Sequence, residues 1–304
     1  MHSLVKIAAG LGAVGAGCAA YAAGYEVRAF RLRYADMPCL PADSEPIKLL
    51  HLSDIHLVPR QARKQEWLRG LAALDPDVVV NTGDNIGHAQ SIPLLMDALG
   101  ALTDVPGVFV FGSNDYWGPV AKNPLRYFLP NGGRKKFHGP LLPWRELRAE
   151  LLGTGWLDLT NTFGELKVRG TRIAFAGVDD PHLRYDRLEA VAGPADPGAD
   201  VRVGVTHAPY LRVLDQFVSD GYDAIFAGHT HGGQLRVPGY GALVTNCDLD
   251  ARRSRGLHTH RAGGREAWLH VSAGLGTSPY APYRFACHPE ATLVTLLPRT
   301  HPAS

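Results

Sequence analysis

The sequence has almost no imbalance of charge. Thirty-one Lys and Arg stand against 29 Asp and Glu, a formal net charge of +2 over 304 residues. A surface that grips a nucleic-acid backbone needs a concentrated positive field, so this balance argues against that class of partner. Cysteine is scarce as well. Cys18, Cys39, Cys247 and Cys287 form no C-x-x-C pair, which argues against a zinc ribbon, an iron–sulfur ferredoxin and a disulfide-dense scaffold. The chain lacks internal repeats and long low-complexity tracts. Charged residues are only 20% and hydrophobic residues 45%, enough apolar surface to exclude disorder as the main state. Histidine, by contrast, is abundant, with 14 residues. Where they stand carries the functional reading.

One long stretch lacks charge altogether. No charged residue lies between Ile7 and Tyr25, with Lys6 before the run and Glu26, Arg28, Arg31 and Arg33 after it. As a helix it would just span a hydrocarbon core of about 30 Å. The run is mostly Ala and Gly. Three readings fit: a retained single-pass anchor, a signal peptide cleaved near Ala20-Tyr21-Ala22, or a buried soluble helix, which the run's glycines would weaken. Residues 1–30 are therefore expected to be an N-terminal hydrophobic helix placing the protein at the cell membrane, or exporting it if cleaved. Residues 31–46, with Pro38, Pro41 and Pro46, read as a linker.

From Ile47 to about residue 299 the chain reads as one domain. Ile47–Leu52, Asp77–Asn81 and Val108–Phe111 are apolar strands, separated by helical patterns over Gln61–Leu74 and Ile92–Leu102. This β-α-β-α-β order implies a sheet with parallel neighbours. A second strand-rich half follows, with Leu166–Val168, Arg172–Gly177, Val201–Thr206, Ala224–Ala227 and Trp268–Ser272. Trp117–Pro143 reads as an irregular basic insertion.

Five short motifs sit just after predicted strands. In Asp54-Ile55-His56, a carboxylate and an imidazole two residues apart can ligate one ion. In Gly83-Asp84-Asn85, a carboxylate after a glycine can bridge two cations. Gly112-Ser113-Asn114-Asp115 offers a neutral amide oxygen, and its amide can also donate to a phosphate. Thr206-His207-Ala208-Pro209 adds an imidazole, and Gly228-His229-Thr230-His231-Gly232-Gly233 adds two that can face different metals. Singly, each has a plainer reading: a helix N-cap, a turn, a loop histidine, a surface pair. Jointly, seven oxygen and imidazole donors fall in order at strand C-terminal ends, the edge where such sheets collect ligands. Carboxylate, imidazole and amide without thiolate suit Mn, Fe or Zn.

This order resembles the calcineurin-like metallophosphoesterase superfamily, whose pattern runs D-x-H, G-D, G-N-[H/D/R], an isolated His, then G-H-x-H. His51-Leu52-Ser53-Asp54-Ile55-His56, Gly228 to Gln234, Gly274-Leu275-Gly276-Thr277-Ser278, Arg284 and Pro289-Glu290 look like one bacterial membrane-associated branch, similar to UDP-2,3-diacylglucosamine pyrophosphatases. The resemblance implies an α/β fold, a four-layer α/β/β/α sandwich of two mixed sheets. It also implies two divalent metal ions, with Mn favoured. Asp54, His56 and His231 would hold the first, Asn114, His207 and His229 the second, and Asp84 would bridge them.

The implied chemistry is attack on phosphorus by a water activated between two metals, cleaving a phosphoester or pyrophosphate bond in a lipid- or nucleotide-linked substrate. Asp84 and Asn114 would take part. Many members carry His after the Asn; here it is Asp115, which could act as an acid only if burial raised its pKa. A leaving group that needs little protonation fits that departure. Arg126, Lys135 and Arg284 are candidate substrate-binding residues. The alternative is a catalytically degenerate, membrane-tethered metal-binding module. A nuclease of the same superfamily is disfavoured by the modest charge, and the sequence points to no protein partner.

Overall fold

Strand residues alternate between two buried faces, and the alternation sorts their side chains into three apolar layers. The structure is a computed structural model that describes residues 2–121 and 139–299. Its first half runs α1 (His2–Gly24), β1 (Arg31–Leu40), β2 (Ile47–Leu52), α2 (Ala62–Gly70), β3 (Val78–Asn81), α3 (Ile92–Leu99), β4 (Gly107–Phe109), the single-turn α4 (Ser113–Tyr116), α5 (Trp144–Gly153) and β5 (Leu157–Asp158). The second half runs β6 (Thr162–Val168), β7 (Thr171–Gly177), β8 (Val201–Thr206), α6 (Leu211–Asp220), β9 (Ala224–Ala227), the short pair β10 (Arg236–Val237) and β11 (Gly241–Ala242), β12 (Gly256–Ala262), β13 (Arg265–Val271) and β14 (Glu290–Pro298).

Two six-stranded sheets result, ordered β1-β14-β2-β3-β4-β5 and β12-β13-β9-β8-β7-β6. In the first, β2 to β5 are parallel neighbours, β14 is antiparallel to β2, and β1 is parallel to β14. In the second, β7, β8, β9 and β13 are parallel, with β6 and β12 antiparallel at the edges. Both sheets are mixed, as expected. Leu49, Val78, Val80, Val108 and Val110 of one sheet meet Ile173, Phe175, Val203, Val205 and Phe226 of the other in the central layer. The opposite face of the first sheet, with Leu50, Leu52, Val79 and Phe109, packs on Leu68, Leu95, Leu99 and Leu147 from α2, α3 and α5. Ile225, Leu269 and Val271 of the second sheet pack on Val213, Leu214 and Phe217, the apolar stripe of α6. Helix, sheet, sheet and helix thus form four layers.

Two expectations are corrected. Most of the supposed linker is the edge strand β1. An edge position tolerates Pro38, whose missing N–H leaves no ladder bond unmade on the open side, and Met37, Cys39 and Leu40 are buried in the core between the sheets. The N-terminal run does form a helix, but among the described residues no helix is long and apolar enough to cross a membrane. Ala and Gly contribute little transfer free energy per residue, so length without bulk does not suffice. At its end, Ala22 is buried and its carbonyl accepts from the backbone N–H of Arg284, at 3.1 Å.

The central layer also holds two histidines, His51 of β2 and His270 of β13, with Nδ1 atoms 2.8 Å apart. Burial holds His270 down to about 3, and burial together with His270 holds His51 well below its usual range. Both folded values lie below the unfolded value of about 6.5. The unfolded chain therefore binds more protons below that pH. Stability from this pair is complete above pH ~6.5 and is lost as the pH falls toward ~3. The stability advantage of the wild type over a His51→Leu/His270→Leu variant is expected to shrink steadily between about pH 7 and 5 in denaturant titrations. An advantage independent of pH would contradict a neutral buried pair.

Candidate metal centre

The seven expected ligands arrive from five strand ends. Asp54 and His56 follow β2, Asp84 follows β3, Asn114 follows β4, His207 follows β8, and His229 and His231 follow β9. Because β2–β4 and β8–β9 are parallel within their sheets, these ends lie at the same edge. Asp54, His56 and His231 present ligand atoms within 4.8 Å of one another, and so do Asp54, Asp84 and His207. Asn114 and His229 stand beside the second group. Asn114 Nδ2 donates to Asp84 Oδ2 at 2.7 Å, and the His229 ring lies 5.2 Å from that of His207.

Hydrogen bonds decide which atom of each side chain faces inward. Asp54 Oδ2 accepts from Ser53 Oγ at 2.6 Å and from the His229 backbone N–H at 2.9 Å, while Oδ1 is buried without a hydrogen-bond partner. His207 donates Nδ1–H to Thr82 O at 2.7 Å, leaving Nε2 buried, unbonded and 3.5 Å from Asp84 Oδ2. His231 Nδ1 lies 3.1 Å from Gly276 O, which turns Nε2 toward Asp54 Oδ1 at 3.6 Å. His56 Nε2 stands 3.4 Å from Asp84 Oδ2. His229 Nε2 points at Asn246 O, 3.3 Å away. His207, anchored to a backbone carbonyl through Nδ1 and bare at Nε2, has the arrangement that metal-binding histidines adopt.

The loops are built tightly around these atoms. Asp54, His56, Asp84, His229 and His231 all have positive φ, between 44° and 68°. Such conformations cost non-glycine residues on the order of 1 kcal/mol each and persist where the surroundings impose them. Glycines close the space behind: a Cβ on Gly228 would lie 2.6 Å from Asp54 Oδ2, and one on Gly276 would lie 2.8 Å from His56 Cβ.

Charge follows from crowding. Burial raises the Asp84 carboxyl, His207 opposes, and the neighbouring Asp54 carboxylate raises it further. Burial would lower His207, but Asp84, Asp54 and Asp180 outweigh it and push the imidazole up to about 9. Burial, with neighbouring histidines, holds His56 and His229 well below the usual range; burial also lowers His231, against Asp54. Three of the four imidazoles are therefore ready as neutral ligands, and a cation at His207 would have to displace a proton.

Two expected roles come out differently. Asp115 is fully buried. Its Oδ2 accepts from the backbone N–H of Asp84 at 2.7 Å and of Gly112 at 2.9 Å, and its Oδ1 from that of Asn85 at 2.7 Å. It ties two ligand loops together and presents no group to a substrate. Burial and Asp84 push its carboxyl up to about 7, but both of its oxygens are engaged by backbone N–H groups. Arg284, expected to bind phosphate, is likewise fully buried. Its Nη2 donates to Ala273 O, Gly274 O and Gly276 O, so it braces the carbonyl that anchors His231. Arg126 and Lys135 lie outside the described residues.

Other supporting residues carried no sequence signal strong enough to single them out. Lys64 is buried and donates to Ile55 O at 2.7 Å, fixing the peptide between Asp54 and His56. His51 Nε2, Thr82 Oγ1 and Ser53 Oγ link the buried histidine pair to Asp54, through contacts of 3.0 and 2.7 Å. A sixth strand end, Asp179-Asp180-Pro181-His182 after β7, also reaches this edge. It shares the carboxylate-after-strand pattern, which could have flagged it.

Comparison with known proteins agrees with this geometry. A family model described as calcineurin-like phosphoesterase matches residues 47–233, more than half the chain. An uncharacterized metallophosphoesterase of Aquifex aeolicus (strain VF5) is 30% identical over 269 residues, covering 84% of this chain and 87% of that protein. A protein named phosphodiesterase YaeI, from Escherichia coli (strain K12), is 26% identical over 264 residues, covering 84% of each. An uncharacterized metallophosphoesterase of Bacillus subtilis (strain 168), YkoQ, is 26% identical over 258 residues, covering 83% of this chain and 84% of its own. The five-block order, the donor geometry and these matches agree: the chain belongs to the calcineurin-like phosphoesterase family and is a metallophosphoesterase.

Proposed function

We propose that the protein hydrolyses a phosphodiester or phosphoanhydride bond, with two divalent cations, Mn by preference, as its cofactors. The observation that carries this is a pair of buried atoms, Asp54 Oδ1 and His207 Nε2, without hydrogen-bond partners and set around Asp84. Polar atoms buried in that condition are costly unless something else satisfies them, and a carboxylate–imidazole–amide set suits a divalent cation. Asp54, His56 and His231 would hold one ion, and Asn114, His207 and His229 the other, with Asp84 shared. When bound, such a pair makes water acidic enough to serve as nucleophile at neutral pH and neutralises phosphoryl charge.

The chain's own residues set the rest. Asp54 and Asp84 bring two negative charges against four positive, so the loaded site attracts an anionic phosphoryl group. The Asp54 orientation is fixed by Ser53 and the His229 amide. Since the Asp115 carboxylate is engaged by three backbone amides, no acid stands at that position. The proposed substrates are those whose leaving group needs little help: an activated diester or a nucleotide-linked diphosphate. A lipid-linked member of that class, as in the UDP-2,3-diacylglucosamine branch, rests on the sequence wording alone.

The test is a metal-swept assay on the full chain. Chelator-treated protein is expected to be inactive and Mn to restore activity. Bis-p-nitrophenyl phosphate or a nucleotide-diphospho-sugar should be turned over at least about a hundredfold faster than an alkyl monoester such as glycerol phosphate, whose alkoxide leaving group needs the missing acid. Two bound metals with no turnover of any substrate would refute the reading and leave a metal-binding module.

A further inference from the structure

A buried carboxylate from the N-terminal segment reaches the loop that supports His231. In the sequence Glu26 reads as the flank of the uncharged run from Ile7 to Tyr25. In the fold it is 1% exposed. Its Oε2 accepts from the backbone N–H of Ala286 at 3.0 Å, and its Oε1 accepts from that of Cys287. A carboxylate taken out of water is costly unless donors engage it. Here two successive amides of one turn do so, and Ala286 holds the positive φ, 52°, of a turn whose amides can converge on an anion. The N-terminal segment clasps the same turn twice more. Ala22 O accepts from the Arg284 backbone N–H at 3.1 Å, and the Tyr21 ring meets Phe285 edge-on at 6.2 Å. From this turn two paths lead to His231. Cys287 Sγ donates to His231 O at 3.3 Å. Arg284 Nη2 donates to Gly276 O at 2.7 Å, the carbonyl that lies 3.1 Å from His231 Nδ1. The packing is close, since a Cβ on Gly232 would lie 2.7 Å from Cys287 Sγ.

We propose that Glu26 is a positioning residue for the first cation: by fixing the turn at Ala286 and Cys287 it fixes His231, and so sets the affinity of the site formed by Asp54, His56 and His231. The inference rests on the two-cation reading above. His231 needs such support. Its φ of 49° is a conformation that persists only where the surroundings impose it. The surroundings are this turn, which holds the His231 carbonyl through Cys287 and the carbonyl beside its ring through Arg284. Partners that orient a ligand set the affinity of the ion nearly as much as the ligand does. The other ligand set is held elsewhere: Asn114 by Asp84, His207 by Thr82 O, and His229 against Asn246 O. The effect of Glu26 is therefore confined to one of the two ions.

The experiment is calorimetric titration of the full chain, stripped by chelator, with Mn. Glu26→Gln keeps the size of the side chain but sets an amide nitrogen against a backbone N–H, so one of the two bonds is lost. One Mn dissociation constant is expected to rise about tenfold, the low end for a residue that supports a ligand, while the other stays within about twofold. Cys287→Ala removes the Sγ contact to His231 O alone and should raise the same constant by a smaller factor. In a His231→Ala background, Glu26→Gln should change the remaining affinity by less than about twofold, because the route is already cut. Val218→Ala, in the core beneath α6, is the stability control: Tm should fall and neither constant should move. Both constants within about twofold of wild type in Glu26→Gln and Cys287→Ala would overturn the proposal. So would an equal effect of Glu26→Gln in the His231→Ala background, or the same rise in Val218→Ala, since the effect would then be general loosening. A wild type that binds no Mn is a separate result, and it would overturn the two-cation reading itself.

Discussion

Asp84→Asn is expected to lower Mn-dependent diester hydrolysis by roughly a thousandfold, about 4 kcal/mol of transition-state stabilisation. The size follows from where the carboxylate stands. Its Oδ2 faces His56 Nε2 and His207 Nε2 from the two halves of the site, and its Oδ1 accepts from the Asn114 backbone N–H at 2.7 Å. Among the described residues no other side chain touches both halves and the Asn114 loop. Asparagine keeps the shape and discards the charge, so the fold should survive. Metal-free protein should even gain stability, because burial and the nearby Asp54 make the Asp84 charge unfavourable there. The pairing of lost activity with unchanged or raised Tm is the informative outcome. Metal content by elemental analysis and kcat/KM would read it. Activity within tenfold of wild type with two metals bound would remove Asp84 from its shared position.

Gly112→Ala should be nearly as damaging, although it adds one methyl group and takes away no chemistry. A Cβ at Gly112 would lie 2.6 Å from His207 Cε1 and 2.7 Å from Nδ1, and closer still to Asp84 Oδ1. The backbone there is extended, with φ −110°, so alanine meets no conformational objection and the whole effect comes from space. Both crowded side chains are pinned, Asp84 by the Asn114 N–H and His207 by Thr82 O, and neither can yield without leaving its place. A displacement of about 1 Å at such groups costs on the order of 10²-fold in rate, and overpacking adds about 1–3 kcal/mol of lost stability. Gly153→Ala is the control. Among the described residues nothing lies within 4 Å of that Cβ, and the residue closes α5, where alanine is preferred. It should leave kcat/KM unchanged and keep or raise Tm. Equal kinetics for the two variants would show that the Gly112 loop adapts.

Legibility in the sequence tracked distance along the chain. Motifs confined to a few residues at a strand end, such as Asp54-Ile55-His56 and His229-Thr230-His231, could be read because local order alone implied a common edge. Strands β2, β8 and β9 were visible for the same reason, as short apolar runs ending in a polar motif. What escaped depended on partners far away. β1 looked like a linker because its outer half is polar and it carries a proline; only pairing with β14, more than 250 residues later, makes it a strand. Arg284 looked like a phosphate ligand because a cation beside the site suggests one. The three carbonyl partners of its Nη2 come from residues 273–276, a turn whose course no local pattern reveals. Asp115 was noticed as a missing histidine, but its contact with two ligand loops is a property of their packing. The strand end Asp179-Asp180-Pro181-His182 was passed over although it shares the carboxylate-after-strand pattern.

The position of β14 has a consequence for how the protein is made. β1 and β2 are separated by only residues 41–46, yet they are not neighbours; β14 lies between them, hydrogen-bonded to both. During synthesis these two early strands leave the ribosome with a gap that is filled only after all seven ligand residues have been translated. Until then Met37, Leu40, Leu49 and the outer ladder of β2 lack their cover, an arrangement prone to wrong pairing and to capture by other nascent chains. The first sheet, and with it the geometry of Asp54 and His56, is therefore completed late, through pairing of high sequence separation that slows folding. A product truncated or clipped ahead of residue 290 would keep every ligand and still lack the strand that holds their sheet together.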